Sequence, residues 1–234
     1  MIKIRVSESF YSIQGEGPTV GVPAVFVRLQ GCNLNCGSKS GSWVCDTVEV
    51  WKKGTQYSIT EFYEYLVEKY SQAFSTGAHL VITGGEPLLQ QSAMVELINQ
   101  FNKKPYIEVE TNGTIAPNTA LIPLIDQWNV SPKLTNSGEP VDKRINPTSL
   151  EWFSMQPNSV FKFVVANTDD IDEINTSFPW ACALPIRQKY IMPAADSREI
   201  LHNQYATIIE QSKAYGYSLS QRFHLSIWDQ KTGV

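Results

Sequence analysis

Three of the four cysteines of this 234-residue chain lie within one short stretch, at Cys32, Cys36 and Cys45. Thiolates this close in sequence usually share a metal ion or an iron–sulfur cluster. A structural zinc site has four protein ligands, so Cys182 or a histidine would have to complete it. Three thiolates can instead hold three irons of a [4Fe–4S] cluster and leave the fourth iron open for another ligand. The spacing alone leaves both alternatives open.

Composition and charge argue against several other classes of protein. The formal net charge is −4 and the pI is near 5.4, so the chain has no basic surface for a nucleic-acid backbone. No stretch approaches the roughly 18 apolar residues of a membrane-spanning helix, and the first ten residues lack the apolar segment of a secretory signal. The bunched cysteines do not resemble a secreted disulfide framework. We therefore expect one cytoplasmic domain over 1–234, with neither a nucleic-acid nor a membrane partner, and a buried Cys182.

The hydrophobic pattern predicts strands that alternate with helices. Six strands are predicted, at 24–29, 79–83, 106–110, 128–130, 160–165 and 189–193. Helical periodicity appears at 58–74, around 95–101, around 120–125, from Asp169 and at 197–214. Three further segments have other patterns, which predict a glycine-rich loop at 9–21, irregular structure at 134–158 and an edge strand at 222–228. Strands that alternate with helices pair in parallel through right-handed crossovers.

Polar motifs follow the predicted strands at the point where each strand ends. They are the cysteine stretch, Gly84-Gly85-Glu86-Pro87, Thr111-Asn112-Gly113, Ser131-Pro132-Lys133 and Pro193-Ala194-Ala195-Asp196. Parallel strands bring their carboxyl ends to one edge of a sheet, where α/β proteins bind ligands. Motifs spread over six successive strands converge on one centre only if the sheet curls. We therefore predict an α/β fold of the incomplete (β/α)6-barrel type, with the active site at the C-terminal rim of the parallel strands.

Two positions are suggestive on chemical grounds alone. Arg28 interrupts an otherwise apolar strand, and a buried guanidinium requires an anion. A substrate carboxylate could supply that anion, and so could an internal ion pair with a residue such as Glu110. Gly84 and Gly85 would let the backbone approach a bound group closely, so that their carbonyls could accept hydrogen bonds from an ammonium. The alternative is a tight strand exit that leaves Glu86 solvated.

Taken together, these motifs resemble one family of proteins. The cysteine stretch and Gly-Gly-Glu-Pro are similar to the radical S-adenosylmethionine superfamily, and the full set resembles its 7-carboxy-7-deazaguanine synthase family. The segments that carry this resemblance are 10–18, 26–29, 31–34, 45–47, 83–87, 110–113, 131–133, 191–193 and the tail from His224 to Val234. They span most of the chain, and their order and spacing are more specific than any one of them.

The resemblance implies a reaction and its cofactors. A [4Fe–4S] cluster would reductively cleave S-adenosylmethionine, and the resulting radical would abstract hydrogen from C6 of 6-carboxy-5,6,7,8-tetrahydropterin. Ring contraction with loss of ammonia would give 7-carboxy-7-deazaguanine, a precursor of queuosine-type 7-deazapurines, with assistance from Mg²⁺. The family also implies an electron donor such as a flavodoxin or ferredoxin, and a homodimer.

The resemblance further implies roles for individual residues. Cys32, Cys36 and Cys45 would bind the cluster, and Thr47 would be a Mg²⁺ ligand unless it only forms a turn. The residues expected to bind S-adenosylmethionine are Gly84, Gly85, Glu86, Ser131 and Lys133. Those expected to contact the pterin are Gln14, Glu16, Arg28, Glu110 and His224, of which Arg28, Glu110 and His224 would be catalytic.

One feature departs from the common pattern of the superfamily. Eight residues separate Cys36 from Cys45, where many members have two. The longer segment costs only about 1 kcal/mol of additional closure entropy, which is small against metal–thiolate binding. Ligation by Cys45 is therefore still expected, and the role of the additional residues is open. Two alternatives are a radical enzyme acting on a different small molecule and a non-catalytic zinc-binding module.

Overall fold

The computed structural model describes residues 2–37, 41–231 and 233. The strands are β1 (Lys3–Ile13), β2 (Pro23–Leu29), β3 (Thr55–Ser58), β4 (His79–Gly84), β5 (Ile107–Thr111), β6 (Gln127–Val130), β7 (Ser159–Val165), β8 (Lys189–Pro193) and β9 (Ser218–Leu219). The α-helices are α1 (Val48–Trp51), α2 (Ile59–Ser75), α3 (Gln91–Asn99), α4 (Val141–Arg144), α5 (Pro147–Ser154), α6 (Thr168–Ser177), α7 (Pro179–Ala183), α8 (Arg198–Tyr215) and α9 (Phe223–Trp228). Short 3-10 helices lie at Gly17–Thr19, Pro87–Gln90, Ile122–Leu124, Thr135–Ser137 and Ile186–Gln188.

The strands form one mixed sheet in the order β3-β1-β2-β4-β5-β6-β7-β8-β9. β1 pairs antiparallel with both β2 and β3. From β2 to β9 every pair is parallel. The carboxyl ends of the parallel strands therefore lie along one edge of the sheet, as predicted. The strand order does not test the more specific prediction, which is that the sheet curls into an incomplete barrel.

The two faces of the sheet differ in character because side chains alternate along each strand. On β5, Ile107 and Val109 join the main hydrophobic core, which the helices cover. Glu108 and Glu110 point to the opposite face, which we call the inner face. On β2 the same alternation places Val25 and Val27 in the core and Arg28 on the inner face. The apolar face holds the sheet and helices together, and the inner face is left for polar side chains.

Helix α2 shows how the sequence determines one of these covering helices. Ser58 and Glu61 form a reciprocal capping box at its N-terminus, as expected from their spacing. Phe62 and Leu66 fall on one side of the helix and are fully buried against the sheet. Each such side chain contributes roughly 1.5–3 kcal/mol when it is removed from water.

Four predictions of local structure were wrong. The segment 222–228 forms helix α9 rather than an edge strand, and residues 9–13 belong to β1 rather than to a loop. The segment 134–158 contains α4 and α5, where irregular structure was expected. Cys182 is exposed rather than buried, and its thiol donates to Asn175 Oδ1 at 3.1 Å.

Phe223, Leu225 and Ile227 alternate as in a strand, whereas Leu225 and Trp228 are three residues apart, as on one side of a helix, and this explains the error at α9. β1 was missed because its polar residues mark an antiparallel strand with one open face rather than a buried one. The six predicted parallel strands are confirmed within two residues at each end. Within the described ranges, no helix is long and apolar enough to cross a membrane.

Candidate active site

The polar residues that follow the parallel strands line a single cavity of about 770 Å³. Of the fourteen residues predicted to form a site, all but Glu86 line it. They are Gln14, Glu16, Arg28, Cys32, Cys36, Cys45, Thr47, Gly84, Gly85, Glu110, Ser131, Lys133 and His224. They come from seven separate segments of the chain, so their convergence is a property of the fold and not of local sequence.

We call one part of the cavity the cysteine side, defined by Cys32, Cys36, Cys45, Thr47, Gly84, Gly85, Ser131 and Lys133. The loop that carries the thiols follows β2, and the Cys45 amide donates to the Cys36 carbonyl at 3.4 Å. The Thr47 hydroxyl lies 3.4 Å from the Cys45 sulfur. Burial raises the pKa of Cys32 to about 11 and also raises the pKa of Cys36. The Cys32 and Cys36 thiols are therefore neutral until a metal displaces their protons.

The three cysteines that line the cavity suit an iron–sulfur cluster. Three cysteine sulfurs on one cavity wall are the ligands that iron–sulfur clusters use. Within residues 2–37, 41–231 and 233, no three His, Cys, Asp or Glu side chains, the three cysteines included, are close enough together to hold a metal ion in this structure. The exposed position of Cys182 also gives it no part in this cavity. Three thiols and an open fourth position are what a [4Fe–4S] cluster with one additional ligand would need.

The long segment between Cys36 and Cys45 is held against the chain that follows β6. The Gly37 amide donates to Ser137 O and the Ser42 amide to Asn136 O, each at 2.8 Å. The Trp43 indole donates to Asn136 Oδ1 at 2.9 Å. Residues 38–40 of this segment lie outside the described residues. The described part thus has a structural role, because it fixes the third cysteine against a neighbouring strand exit.

The glycine pair after β4 has a packing reason to be glycine. A Cβ on Gly85 would collide with the Gly31 carbonyl and with the Cβ of Cys32. The Glu86 amide donates to the same Gly31 carbonyl at 2.9 Å. The absence of a side chain at Gly85 therefore lets the β4 exit press directly against the start of the cysteine loop. This is a second reason for glycine, besides the approach to a ligand inferred from sequence.

Glu86 lies behind the cavity wall and is fully buried. Its carboxylate accepts from the Leu88 amide at 3.0 Å, the Asn112 amide at 2.7 Å and the Thr111 hydroxyl at 2.8 Å. Burial raises its pKa to about 7, although these hydrogen bonds oppose the rise. The solvated alternative is wrong for its side chain, and its role toward a methionine ammonium stays a prediction. Its hydrogen bonds hold the segment after β4 against the end of β5.

Ser131 and Lys133 complete this side of the cavity. The Lys133 ammonium donates to the Ser131 hydroxyl at 3.0 Å and lies 5.9 Å from the centre of the Trp43 ring. The Arg144 guanidinium donates to the Lys133 carbonyl at 2.9 Å, which fixes the backbone there. A cation and a hydroxyl are thus presented to the cavity beside the thiols.

We call another part of the cavity the glutamate side, defined by Gln14, Glu16, Arg28, Glu110, Lys162, Arg222 and His224. Glu16 forms ion pairs with Lys162 and, at 3.2 Å, with the Arg222 Nε. Burial alone would raise the pKa of Glu16, but Lys162, Arg222 and His224 outweigh it and hold this pKa well below its usual range. Glu16 is therefore an anion with little exposure to water, its side chain being 15% exposed, and its countercharges are already in contact.

The other predicted pterin contacts surround this group. The Gln14 amide donates to Glu110 Oε1 at 3.2 Å. Burial lowers the pKa of His224 below its usual value, so its imidazole is neutral at pH 7. His224 packs directly on Gly15, where a Cβ would lie 2.6 Å from the ring Nδ1. The Phe223 amide donates to the Gly15 carbonyl at 2.9 Å, which ties α9 to this loop.

Arg28 has an anion partner, but not the one suggested from sequence. Its Nε donates to Glu8 Oε1 at 2.8 Å, across the antiparallel pair β1–β2. Glu110 interacts instead with Gln14. The Arg28 side chain is 14% exposed and lines the cavity, so part of the guanidinium faces the open space.

Three residues of the cavity were missed by the sequence reasoning. Lys162 is a lone lysine within the apolar strand β7, which is the same signal that singled out Arg28. Arg222 was assigned to a strand and was not considered as a partner for Glu16. Trp43 lies in the additional residues of the cysteine loop, for which the family resemblance gave no expectation. Only Lys162 carried a signal that the same argument could have used.

Comparison with known proteins agrees with this geometry. Residues 13–120, just under half of the chain, match the family model described as a 4Fe-4S single cluster domain, so this part of the chain is similar to iron–sulfur cluster domains. The chain is 35% identical to a 7-carboxy-7-deazaguanine synthase from Pyrobaculum aerophilum, over 99% of this chain and 97% of that protein. It is 31% identical to the protein of the same name from Clostridium acetobutylicum, over 98% and 99%.

A solved structure shows the same likeness in three dimensions. The crystal structure of QueE from Escherichia coli matches with a TM-score of 0.65 and 26% identity, over 95% of both chains. The chain belongs to the 7-carboxy-7-deazaguanine synthase family, and the family resemblance seen in its motifs is confirmed.

Proposed function

We propose that this protein is a 7-carboxy-7-deazaguanine synthase of the radical S-adenosylmethionine type. It converts 6-carboxy-5,6,7,8-tetrahydropterin to 7-carboxy-7-deazaguanine, with loss of ammonia, in the synthesis of queuosine-type 7-deazapurines. The observation that carries this proposal is the convergence of thirteen predicted residues, three of them cysteines, on one cavity. Its full-length similarity to synthases of that name supports the same substrate.

The cysteine side would hold the cofactors. Cys32, Cys36 and Cys45 would bind a [4Fe–4S] cluster, which together with S-adenosylmethionine supplies the radical chemistry. The carbonyls of Gly84 and Gly85 would accept hydrogen bonds from the methionine ammonium. Glu86 would act on that ammonium only through its negative charge, because its oxygens are turned away from the cavity and bonded to the backbone.

Two polar groups would complete cofactor binding. Ser131 and Lys133 present a hydroxyl and an ammonium that suit the carboxylate and ribose oxygens of S-adenosylmethionine. Thr47 would be a Mg²⁺ ligand at the edge of the same space, with further oxygen ligands from water and from the anionic substrate.

The glutamate side would bind the pterin. The described contacts of Arg28 with protein use only its Nε, so its terminal nitrogens can pair with the substrate carboxylate. Gln14 and Glu16 would receive the polar edge of the pterin ring. Glu110 and the neutral His224 would move protons when ammonia is lost, so Arg28, Glu110 and His224 are the catalytic residues of this proposal.

Finer features of the proposal extend beyond the cavity. The segment 14–19 reaches the inner face at β5, β6 and β7, which supports a sheet curled into an incomplete (β/α)6-type barrel with the active site at its C-terminal rim. One continuous sheet supports a single radical S-adenosylmethionine domain over 1–234. We also propose a homodimer, a flavodoxin or ferredoxin as electron donor, and a reducing, cytoplasmic location suited to four unpaired cysteines.

An anaerobic assay tests the proposal. The protein is reconstituted with iron and sulfide and supplied with S-adenosylmethionine, reductant, Mg²⁺ and the carboxytetrahydropterin. We expect about four irons per chain and formation of the deazaguanine. A four-iron protein that makes no such product would overturn the specific reaction and leave another radical enzyme. Anaerobically isolated protein that holds one zinc and neither iron nor sulfide would overturn the radical chemistry itself.

A further inference from the structure

One arginine joins the two sides of the cavity. The Arg222 guanidinium donates from Nε to Glu16 Oε1 at 3.2 Å, from Nη2 to Asp46 Oδ2 at 2.6 Å and from Nη1 to the Ala195 carbonyl. Its side chain is only 9% exposed. A buried side chain thus binds three segments that are far apart in the sequence.

Each of these segments carries a different part of the site. Glu16 belongs to the glutamate side, where we propose that the pterin binds. Asp46 lies between Cys45 and Thr47, so its position determines where the third thiol and the threonine hydroxyl point. Ala195 follows β8 and lines the cavity between them.

The chemistry of arginine suits such a link. A guanidinium is planar, always charged, and holds its N–H donors at fixed angles, whereas an ammonium is a flexible point charge. Bonds to three acceptors therefore fix the distance and the angle between Glu16 and Asp46. The Asp46 side chain is 52% exposed, so this ion pair adds little to folding stability in comparison with the buried pair to Glu16. Its effect is mainly on the geometry of the cysteine loop.

We propose that Arg222 is a positioning residue that couples occupancy of the pterin site to the position of the cysteine loop. The proposal rests on the proposed function, because it takes Glu16 as a pterin contact. A ligand that hydrogen-bonds Glu16 competes for the carboxylate that Arg222 and Lys162 now share. The position of the Arg222 guanidinium then changes, and with it the position of Asp46 in the cysteine loop. By thermodynamic reciprocity, an ordered cysteine loop then also strengthens pterin binding.

Hydrogen–deuterium exchange of the holoenzyme tests this coupling without turnover. The carboxytetrahydropterin is added anaerobically to the cluster-loaded protein without S-adenosylmethionine, and exchange is followed in the peptide that covers 41–50. In the wild type we expect the pterin to slow this exchange by about fivefold. In Asp46→Ala the slowing should disappear, although the same concentration of pterin still protects residues 14–19.

Three further variants separate coupling from simple damage. Asp46→Asn retains an oxygen that can accept from Arg222, so it should recover part of the slowing. Arg222→Lys keeps the charge but not the planar set of donors, so it should behave like Asp46→Ala. The matched control is Glu210→Gln, which breaks an exposed ion pair with Lys213 on α8, away from the cavity, and should behave like the wild type.

The outcomes distinguish this inference from the proposed function. Pterin-dependent slowing of equal size in the wild type, Asp46→Ala and Arg222→Lys would overturn the coupling, and so would a wild-type loop that does not respond to bound pterin. If the pterin protects neither 14–19 nor the loop in the wild type, the proposed substrate is wrong instead. Equal iron content in all variants shows that a lost response is not a lost cluster.

Discussion

Behind the cysteine side of the cavity, Glu86 is buried with no cation at hydrogen-bond distance among the described residues, whereas Glu16 on the glutamate side lies between two cations. Among the described residues, Glu86 accepts hydrogen bonds from two amides and a hydroxyl, and burial raises its pKa to about 7. Glu16 pairs with Lys162 and Arg222, and its pKa falls. The direction of the shift follows from the partner, since both carboxylates are withdrawn from water.

This difference indicates what each side lacks. A buried acid that is not neutralised by protein favours a bound cation, and three thiols together with Glu86 form such an environment. The glutamate side already contains its countercharges, so it can receive a polar molecule without a metal. We infer that the cysteine side is completed only by its cofactors, and that the glutamate side is preorganised by the chain itself.

The largest expected effect comes from removing one thiol of the cysteine side. Cys45→Ala should lose the cluster, because two thiols cannot hold the four-iron group in place. Cleavage of S-adenosylmethionine should then fall to background. Iron and sulfide content after anaerobic reconstitution measures this. Cys182→Ala is the matched control, since Cys182 is exposed and does not line the cavity. A full cluster in Cys45→Ala would show that Cys45 is not the third ligand.

On the glutamate side, Lys162→Met should destabilise the fold. It leaves the buried Glu16 with Arg222 as its one remaining direct cation among the described residues, and we expect a loss of roughly 3 kcal/mol in the free energy of unfolding. Denaturant unfolding of cluster-free protein measures it. The control Lys104→Met breaks a more exposed ion pair with Asp126 and should cost less than about 1 kcal/mol. Equal losses of unfolding free energy in the two variants would contradict the claim that the Glu16–Lys162 pair stabilises the fold more than an exposed ion pair does.

The two carboxylates should also give stability profiles of opposite slope. The raised pKa of Glu86 means that the folded state favours the protonated acid. The resulting stability is present below about pH 4.5 and is lost as the pH rises through about 7, a change of roughly 3 kcal/mol. Cluster-free Glu86→Gln should therefore have a flatter profile between pH 5 and 7. An unchanged slope in this variant would assign the titration to another group.

Glu16 should act in the other direction. Because its folded pKa is lowered, its contribution is present above about pH 4.5 and is lost as the pH falls below that value. Glu16→Gln should thus lose stability at neutral pH and show a weaker dependence on pH in acid. Denaturant unfolding between pH 3 and 7 measures both variants in one series. A Glu16→Gln profile parallel to that of the wild type would contradict the ion-pair account.

A smaller effect is expected at Thr47. Thr47→Ala should bind Mg²⁺ more weakly, because one oxygen ligand of several is lost. The Mg²⁺ concentration required for half-maximal turnover should rise by about tenfold. Thr47→Ser keeps the hydroxyl and should retain the wild-type dependence. A Mg²⁺ titration of turnover that is the same for all three proteins would assign Thr47 a turn-forming role only.

The parts of the fold that were predicted correctly are those whose hydrophobic pattern is compatible with only one type of secondary structure. Strands such as β4 and β7 are short apolar runs that end at glycine or at a polar motif, and the strand exits indicated where a site would form. The helix α9 was missed because its spacing of apolar residues suits two structures. The position of Cys182 was missed because a cysteine carries no signal of its exposure.

The candidate site was predictable as a set of residues but not as a network. The partners of Glu16 and Arg28 come from β7, from the residue before α9 and from β1, and no local pattern links a carboxylate to a cation two hundred residues away. Lys162 could have been found by the argument that was applied to Arg28. Arg222 could not have been found, because its role depends on three contacts that only the folded chain brings together.

The most direct test of the division into two sides is to measure the binding of both ligands with and without the cluster. S-adenosylmethionine and the carboxytetrahydropterin are each titrated anaerobically into reconstituted and into iron-free protein. Removal of the cluster should abolish detectable binding of S-adenosylmethionine and change the Kd of the pterin by no more than about tenfold, the range expected for coupling between sites. Loss of both affinities together would contradict a preorganised glutamate side.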